Sequence, residues 1–428
     1  MKIIQITPGS GDNFYCENCL RDRALVRALR AQGHDVLMVP LYLPLRAEAQ
    51  ETITDVPIFY GGINVYLQQK LGLFRKTPRW LDKLFDSRGL LAWAGRKVGM
   101  TSARDLGETT LSMLKGEHGR QVKELHRLMD WLVSEPEKPD VVILSNILLG
   151  GLAAPLRECL QVPVVCLLQD EEDFVDSLTE PYVSESWDLM RRCIANLDAL
   201  VAVSRTYAER IGPRLEIPDD KLHVVYMGLA LDQYAPAAKP PEPPVVGYLS
   251  RTCPVRGLDT LVDAFILLKQ TPTLKSLALH ISGGQSSADE GFLRDIKHRL
   301  TQAGVIDDVT FTPEFLGPER LAFLQSLTVM CVPEREEVAY GLYALEALAT
   351  GVPVVQPAVG VFPELLALTG GGTLVETHSP EAFAAALKPW LVDPEGARNL
   401  GLQGRQGMEE HFDVEKTGGA LINVLKGL

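Results

Sequence analysis

Short apolar runs alternate with amphipathic helical stretches along this chain, and that rhythm confines it to parallel α/β architecture. The first run is residues 3–6. A turn-rich loop at 8–13 follows. A helical pattern from about 20 to 32 then puts Leu25, Ala28 and Leu29 on one face. Gly33 stops it, as a left-handed C′ glycine does. A second strand at 35–39 comes next. Two buried strands joined through a helix read as one parallel β-loop-α-β unit. The alternation recurs at 141–144, 162–168 and 199–203. It restarts at 245–249 and continues near 277–282, 309–312, 329–333 and 352–356.

Between the two series lie prolines at 236, 240, 241, 243 and 244. They can propagate neither a helix nor a central strand. Residues 235–244 therefore read as a linker. The 428 residues suffice for two domains, 1–235 and 245–409. The fold class expected is two doubly wound Rossmann-like units in tandem, facing a central cleft. Ligands in such sheets bind at the carboxyl ends of the strands. Residues 45–135 interrupt the rhythm. They are long, mostly helical in pattern, and carry Trp80, Trp93 and Trp131, so they read as an elaboration of the first domain.

Charge and cysteine usage narrow the function. Lys plus Arg is 42 against 55 Asp plus Glu, a net −13. Phosphate backbones repel such a surface, which argues against nucleic acid as a partner. The N-terminus lacks the apolar core and cleavage site of a signal peptide, and no apolar run is long enough to span a membrane. Seven scattered cysteines fit reduced thiols in a cytoplasmic protein, not a disulfide framework. The histidines show no metal spacing, and no metal is expected. Cys16 and Cys19 form a C-x-x-C pair at a helix start. That pattern suits a lowered thiol pKa or packing near the cleft, but zinc wants four ligands and no second pair exists. The charge is not uniform: residues 61–100 hold eight Lys/Arg against two Asp, a local +6. Leucines and tryptophans interleave there. Such a segment could lie on an anionic membrane surface, or cover the core and face an acidic acceptor.

Two runs carry chemistry. In residues 334–355, EREEVAYGLYALEALATGVPVV, a strand leads through a loop to a helix beginning near Gly341 and stopping at Gly351. Gly341 admits close backbone approach. The free N–H groups of a helix start suit an anion, and Glu346 can accept two hydrogen bonds from a vicinal diol. In residues 246–265, VGYLSRTCPVRGLDTLVDAF, Arg251 and Arg256 sit between a strand and a helix starting near Asp259. Two guanidinium groups beside a helix N-terminus suit a diphosphate. The bland alternative is that both are solvated.

These runs resemble the donor site of retaining glycosyltransferases of the family 4 type, with the GT-B fold. The family pattern G-R-L-x-x-x-K-G corresponds to Ser250-Arg251-Thr252 and Arg256-Gly257, with arginine at 256 where lysine is usual. The family pattern E-G-F-G-L-x-x-x-E-A-x-A-x-G-x-P-V-V is matched at Gly341, Leu342, Glu346, Ala347, Ala349, Gly351, Pro353, Val354 and Val355, with Tyr340 in place of phenylalanine. Further matches are Gly33-His34-Asp35-Val36, Gly283-Gly284 and Gly360-x-x-Pro363-Glu364. Three positions depart. The family's first acidic residue falls on Val338, with Glu337 adjacent. A histidine that often follows a strand of the first domain is Gln169 here, followed by Asp170, Glu171, Glu172 and Asp173. The usual glycine pair of the first loop reads Pro8-Gly9-Ser10-Gly11.

The resemblance implies transfer from a nucleotide-diphospho-sugar to an acceptor, with retention and without a metal cofactor. Arg251 and Arg256 would hold the diphosphate, and Glu346 the ribose. Gly11, Gly283, Glu337, Tyr340, Gly341 and Leu342 would line the donor. The first domain would bind a sugar, lipid-linked or small-molecule acceptor. Asp170 would take a substrate hydroxyl proton, unless 169–173 is a solvated acidic loop. A C-terminal helix, about 410–428, would pack back on the first domain. A non-catalytic nucleotide-sugar-binding relative, an epimerase and a phosphorylase remain open alternatives, since one fold hosts all of them.

Overall fold

The computed structural model describes residues 1–8, 17–41, 103–284, 289–312 and 318–428. Gly11, Cys16, the Cys19 side chain and the basic segment 61–100 lie outside the described residues, as does most of the expected elaboration. The chain divides into two compact units: Met1–Val225 with Thr417–Leu428, and Tyr226–Lys416.

The first unit holds β1 (Lys2–Thr7), β2 (Asp35–Pro40), β3 (Val141–Leu144), β4 (Val164–Leu168), β5 (Ala199–Ala202) and β6 (Leu222–Val224). They pair in the order β2-β1-β3-β4-β5-β6, every described pairing parallel. Alternate residues Ile3, Val36, Val141, Ile143, Val165, Leu167, Ala199 and Val201 form one apolar face. Helix Glu17–Ala31 covers it with Leu25, Val26 and Leu29. The C-terminal helix, Val414–Lys426, adds Leu421, Ile422 and Leu425 to the same core. Each such side chain stabilises the packing by roughly 2 kcal/mol. The last helix therefore closes on the first unit by period-3.6 burial, at i, i+1 and i+4.

The second unit holds β7 (Val245–Leu249), β8 (Ala278–Ser282), β9 (Val309–Thr312), β10 (Val329–Cys331), β11 (Val354–Pro357) and β12 (Gly372–Val375). Their order is β12-β11-β10-β7-β8-β9, again all parallel. Chain order reverses between β7 and β10. That is the switch point where loops on either side splay apart and leave a crevice. The strands β6 and β12 are absent from the sequence expectation. Both are partly exposed edge strands, so neither shows an apolar run.

The division falls between Val225 and Tyr226, ahead of the proline-rich stretch. Residues 226–244 belong to the second unit. Tyr226 donates to Glu364 at 2.7 Å and Tyr234 to Glu346 at 3.1 Å. Arg405 donates to the carbonyls of Leu231 and Tyr234. Gln325 donates to Ala235 O at 2.6 Å. These bonds tie down a segment whose prolines only forbid regular structure. Among the described residues, no helix is long and apolar enough to cross a membrane.

Candidate active site

The switch point of the second unit brings the two sequence runs together. The loop after β7 carries Arg251 and Arg256. The loop after β10 runs from Val332 to Gly341 and opens the helix Leu342–Ala349. The loops lock on each other through missing side chains. Gly257 has φ +67°, and a Cβ there would sit 1.8 Å from Pro333 O. Gly283 has φ +150°, and its Cβ would sit 1.7 Å from Ser250 O. Only glycine fits such contacts. Gly283 thus packs closely against the start of the Arg251 loop.

Hydrogen bonds complete the frame. The buried Tyr248 hydroxyl donates to Arg251 O at 2.8 Å and lies 3.4 Å from Arg256 O. Burial pushes its pKa up, so it stays a donor. Arg335 N–H donates to Val255 O at 3.0 Å, and its guanidinium reaches Pro254 O and Asp259.

Both candidate arginines have carboxylate partners. Arg251, about half exposed, donates from Nε and Nη2 to Asp289 Oδ2 at 3.1 and 2.9 Å. Arg256, 27% exposed, donates to Glu334 Oε2 at 3.0 Å. Glu334 is fully buried, and its other oxygen accepts from the Tyr343 hydroxyl at 3.0 Å. The reading of both arginines as merely solvated does not describe them.

Glu346 lies in the helix that starts at Gly341, itself at φ +62°. The carboxylate is 3% exposed. Arg320 grips it in two-point fashion, Nε to Oε1 at 2.8 Å and Nη2 to Oε2 at 2.5 Å. Tyr234 donates to Oε1 at 3.1 Å. A carboxylate offers about four lone-pair sites, so these donors leave room for little more than one further hydroxyl. Tyr340 and Leu342 are buried beside Gly341. Glu337 is exposed, while Val338 is turned inward and its carbonyl accepts from Val361 N–H at 3.1 Å.

In the first unit, polar groups collect at the carboxyl ends of β1, β3 and β4. Asp22, fully buried, accepts from Thr7 and Ser145 hydroxyls at 3.0 and 2.5 Å and pairs with Arg21 at 2.7 Å. Arg21 also donates to Gln169 Oε1 and to Ser145 O. Gln169 is buried, and its Nε2 has no hydrogen-bond partner. Asn146 Oδ1, at the end of β3, is likewise buried without one.

The expectation of a solvated acidic loop at 169–173 is overturned. Glu171 and Glu172 are buried at the start of helix Glu171–Asp176. Donors sufficient to hold them are at hand. Glu171 accepts from Gln169 N–H at 2.6 Å and Ile147 N–H at 3.3 Å, and Glu172 pairs with Arg210 at 2.6 Å. Asp170 is one-quarter exposed and 3.3 Å from Arg210. The Tyr207 hydroxyl lies 2.7 Å from Glu171 and 2.6 Å from Glu172. The one hydroxyl proton of Tyr207 is shared between two carboxylates. Burial pushes the Glu171 pKa up, against the hydrogen bonds from Tyr207 and Gln169 that lower it.

This has a pH consequence. A carboxyl whose folded pKa is raised stabilises most below its unfolded value, and that stability is lost as pH rises through the folded value. Glu171→Gln should remove this component. Denaturant titrations from pH 4.5 upward should show the wild type losing stability relative to the variant. Parallel curves would contradict a raised Glu171 pKa.

Among the described residues, no three His, Cys, Asp or Glu side chains converge as metal ligands. Asp289, Arg320, Tyr234, Glu334 and the Arg21–Asp22 pair all escaped the sequence reading. Glu334 lies inside a recognised run. Arg320 and Tyr234 carry no sequence signal that links them to Glu346.

Two sequence families account for nearly all of the chain. Residues 21–228 match the glycosyl transferase 4-like domain, and residues 232–407 match glycosyl transferases group 1. The chain belongs to the group 1 glycosyl transferase family. Individual relatives are more distant. A D-inositol 3-phosphate glycosyltransferase of Streptomyces avermitilis is 29% identical over 221 residues, 49% of this chain and 47% of that protein. One of Jonesia denitrificans is 30% identical over 227 residues, 50% of this chain and 52% of that protein. This group 1 family member thus aligns with about half the length of these relatives. Solved structures fix the fold as GT-B. A sucrose-phosphate synthase of Thermosynechococcus elongatus superposes with a TM-score of 0.68 at 18% identity, covering 100% of this chain and 99% of that one. HepE of Anabaena, solved in complex with UDP and glucose, gives 0.69 at 15% identity, covering both chains fully.

Proposed function

We propose that this group 1 family member transfers a sugar from a nucleotide-diphospho-sugar to a hydroxyl-bearing acceptor, with retention at the anomeric carbon. The observation that carries the reading is the placement of Arg251 and Arg256 on one loop at the β7/β10 switch point, beside the Gly341 turn. Charge develops on the leaving diphosphate as the glycosidic bond breaks. Preorganised guanidinium groups stabilise that charge without reorganising at the moment of reaction. In this reading they do so in place of a metal ion, aided by the helix N-termini at Leu258 and Leu342. The first unit takes the acceptor, a sugar, lipid-linked or small molecule. The unpartnered Nε2 of the Gln169 amide suits a substrate hydroxyl there. We place the protein in the cytoplasm, and the basic composition of residues 61–100 suits an anionic membrane surface or acceptor.

The UDP in HepE and the named activity of the inositol phosphate transferases support a nucleotide-sugar donor. Calorimetric titration with UDP-, GDP-, ADP- and TDP-sugars tests it. Binding of at least one, with slow release of the nucleoside diphosphate, is expected. Failure of all four to bind sinks the transferase reading. Val338 and Gln169 favour a second reading, a non-catalytic nucleotide-sugar binder. Binding without any release of nucleoside diphosphate, with or without acceptors, would select it.

A further inference from the structure

We propose that Glu334 is a positioning residue that orients Arg256 toward the donor diphosphate. The proposal rests on the reading above and adds a residue to it. A lysine at 256 would reach a phosphate as a flexible point charge. An arginine is a planar fork, and its value for an anion depends on how that plane is set. Glu334 sets it. The carboxylate is fully buried, accepts from Arg256 Nη1 at 3.0 Å, and is itself held by the Tyr343 hydroxyl at 3.0 Å. Burial pushes the Tyr343 pKa up, so that hydroxyl remains a donor.

The backbone around the pair is pinned from the same side. Gly257 packs its bare Cα face against Pro333 O, the carbonyl just before Glu334. Arg335, just after it, donates its N–H to Val255 O at 3.0 Å and its guanidinium to Pro254 O and Asp259. His378 lies 2.9 Å from Pro333 O through Nε2. Neither end of the Arg256–Glu334 contact can drift without breaking several other bonds. A carboxylate buried this completely is costly unless paired. Here its charge falls on a guanidinium that is itself 27% exposed, at the loop after β7.

A double-mutant cycle read by titration with UDP and with GDP tests this. The tighter of the two reports. In the wild-type background Glu334→Gln should weaken binding by about tenfold, the loss expected when the Arg256 ion pair becomes a hydrogen bond to a neutral amide. In the Arg256→Ala background the sign should reverse. Glu334 is then an unpaired anion near the phosphates, and Glu334→Gln should leave binding unchanged or tighten it. A merely structural role would weaken binding equally in both backgrounds, and that result overturns the proposal. So does an unchanged affinity of the single variant. If Glu334→Gln does not fold, Glu334→Asp keeps the charge but shortens the reach, and it should weaken binding only where Arg256 is present. If Arg256→Ala binds as the wild type does, the donor assignment of Arg256 fails together with this proposal. If Arg256→Ala binds weakly and the cycle is additive, the donor assignment stands and only Glu334's role falls.

Discussion

Arg256→Ala should lower the rate of nucleoside diphosphate release from the bound sugar donor by about 10²–10³-fold, as expected for loss of a preorganised charge stabiliser. The geometry behind this is specific. The guanidinium is partly exposed, its inner edge is held by Glu334 at 3.0 Å, and its backbone carbonyl lies near the Tyr248 hydroxyl. Arg256→Lys keeps the charge and loses the fork, so about a tenfold loss is expected there. The measurement is acceptor-free donor hydrolysis followed by release of the nucleoside diphosphate. Rates within twofold of wild type for both variants would remove Arg256 from the site. A thermal melt accompanies it, because the alanine variant leaves Glu334 buried without its cation. That costs about 3–5 kcal/mol, so the rates are measured well below the melting temperature of the variant.

Glu346→Ala carries a stability effect of the same order. Its removal strands the Arg320 guanidinium, whose side chain is 10% exposed, and frees the Tyr234 hydroxyl from its acceptor at 3.1 Å. Breaking one half of a buried ion pair costs about 3–5 kcal/mol. For a unit of this size that corresponds to roughly 10 °C in melting temperature. Calorimetry reads it, and a shift under about 2 °C would show the pair to be dispensable. The paired change Arg320→Met with Glu346→Leu separates stability from recognition. Replacing both charges with apolar side chains should recover most of the melting temperature. It should not recover donor binding if Glu346 meets the ribose. Recovery of both would make Glu346 a purely structural carboxylate.

Much of the architecture was legible because buried parallel strands are short apolar runs with few other uses. Residues 141–144, 199–203 and 245–249 lie close to the observed strands. Edge strands β6 and β12 were invisible, since LHV and GTLV are too short and mixed to show an apolar run. The proline-rich stretch was legible as irregular, but not as part of the second unit. Its hold comes from Tyr226, Tyr234 and Arg405, single contacts between residues more than a hundred positions apart.

The chain's own text determined the tandem α/β order and the loops that present Arg251, Arg256 and Gly341, because these are local: strand end, glycine turn, helix start. Tertiary structure alone decided which charges face each other. It set Asp289 on Arg251, Glu334 on Arg256 and Arg320 on Glu346, and it buried Glu171 and Glu172 around one tyrosine. The physical reason is that a desolvated charge accepts almost any partner of opposite sign within reach. Sequence therefore shows that a carboxylate lies in a loop. Only the packed sheet shows which arginine it holds.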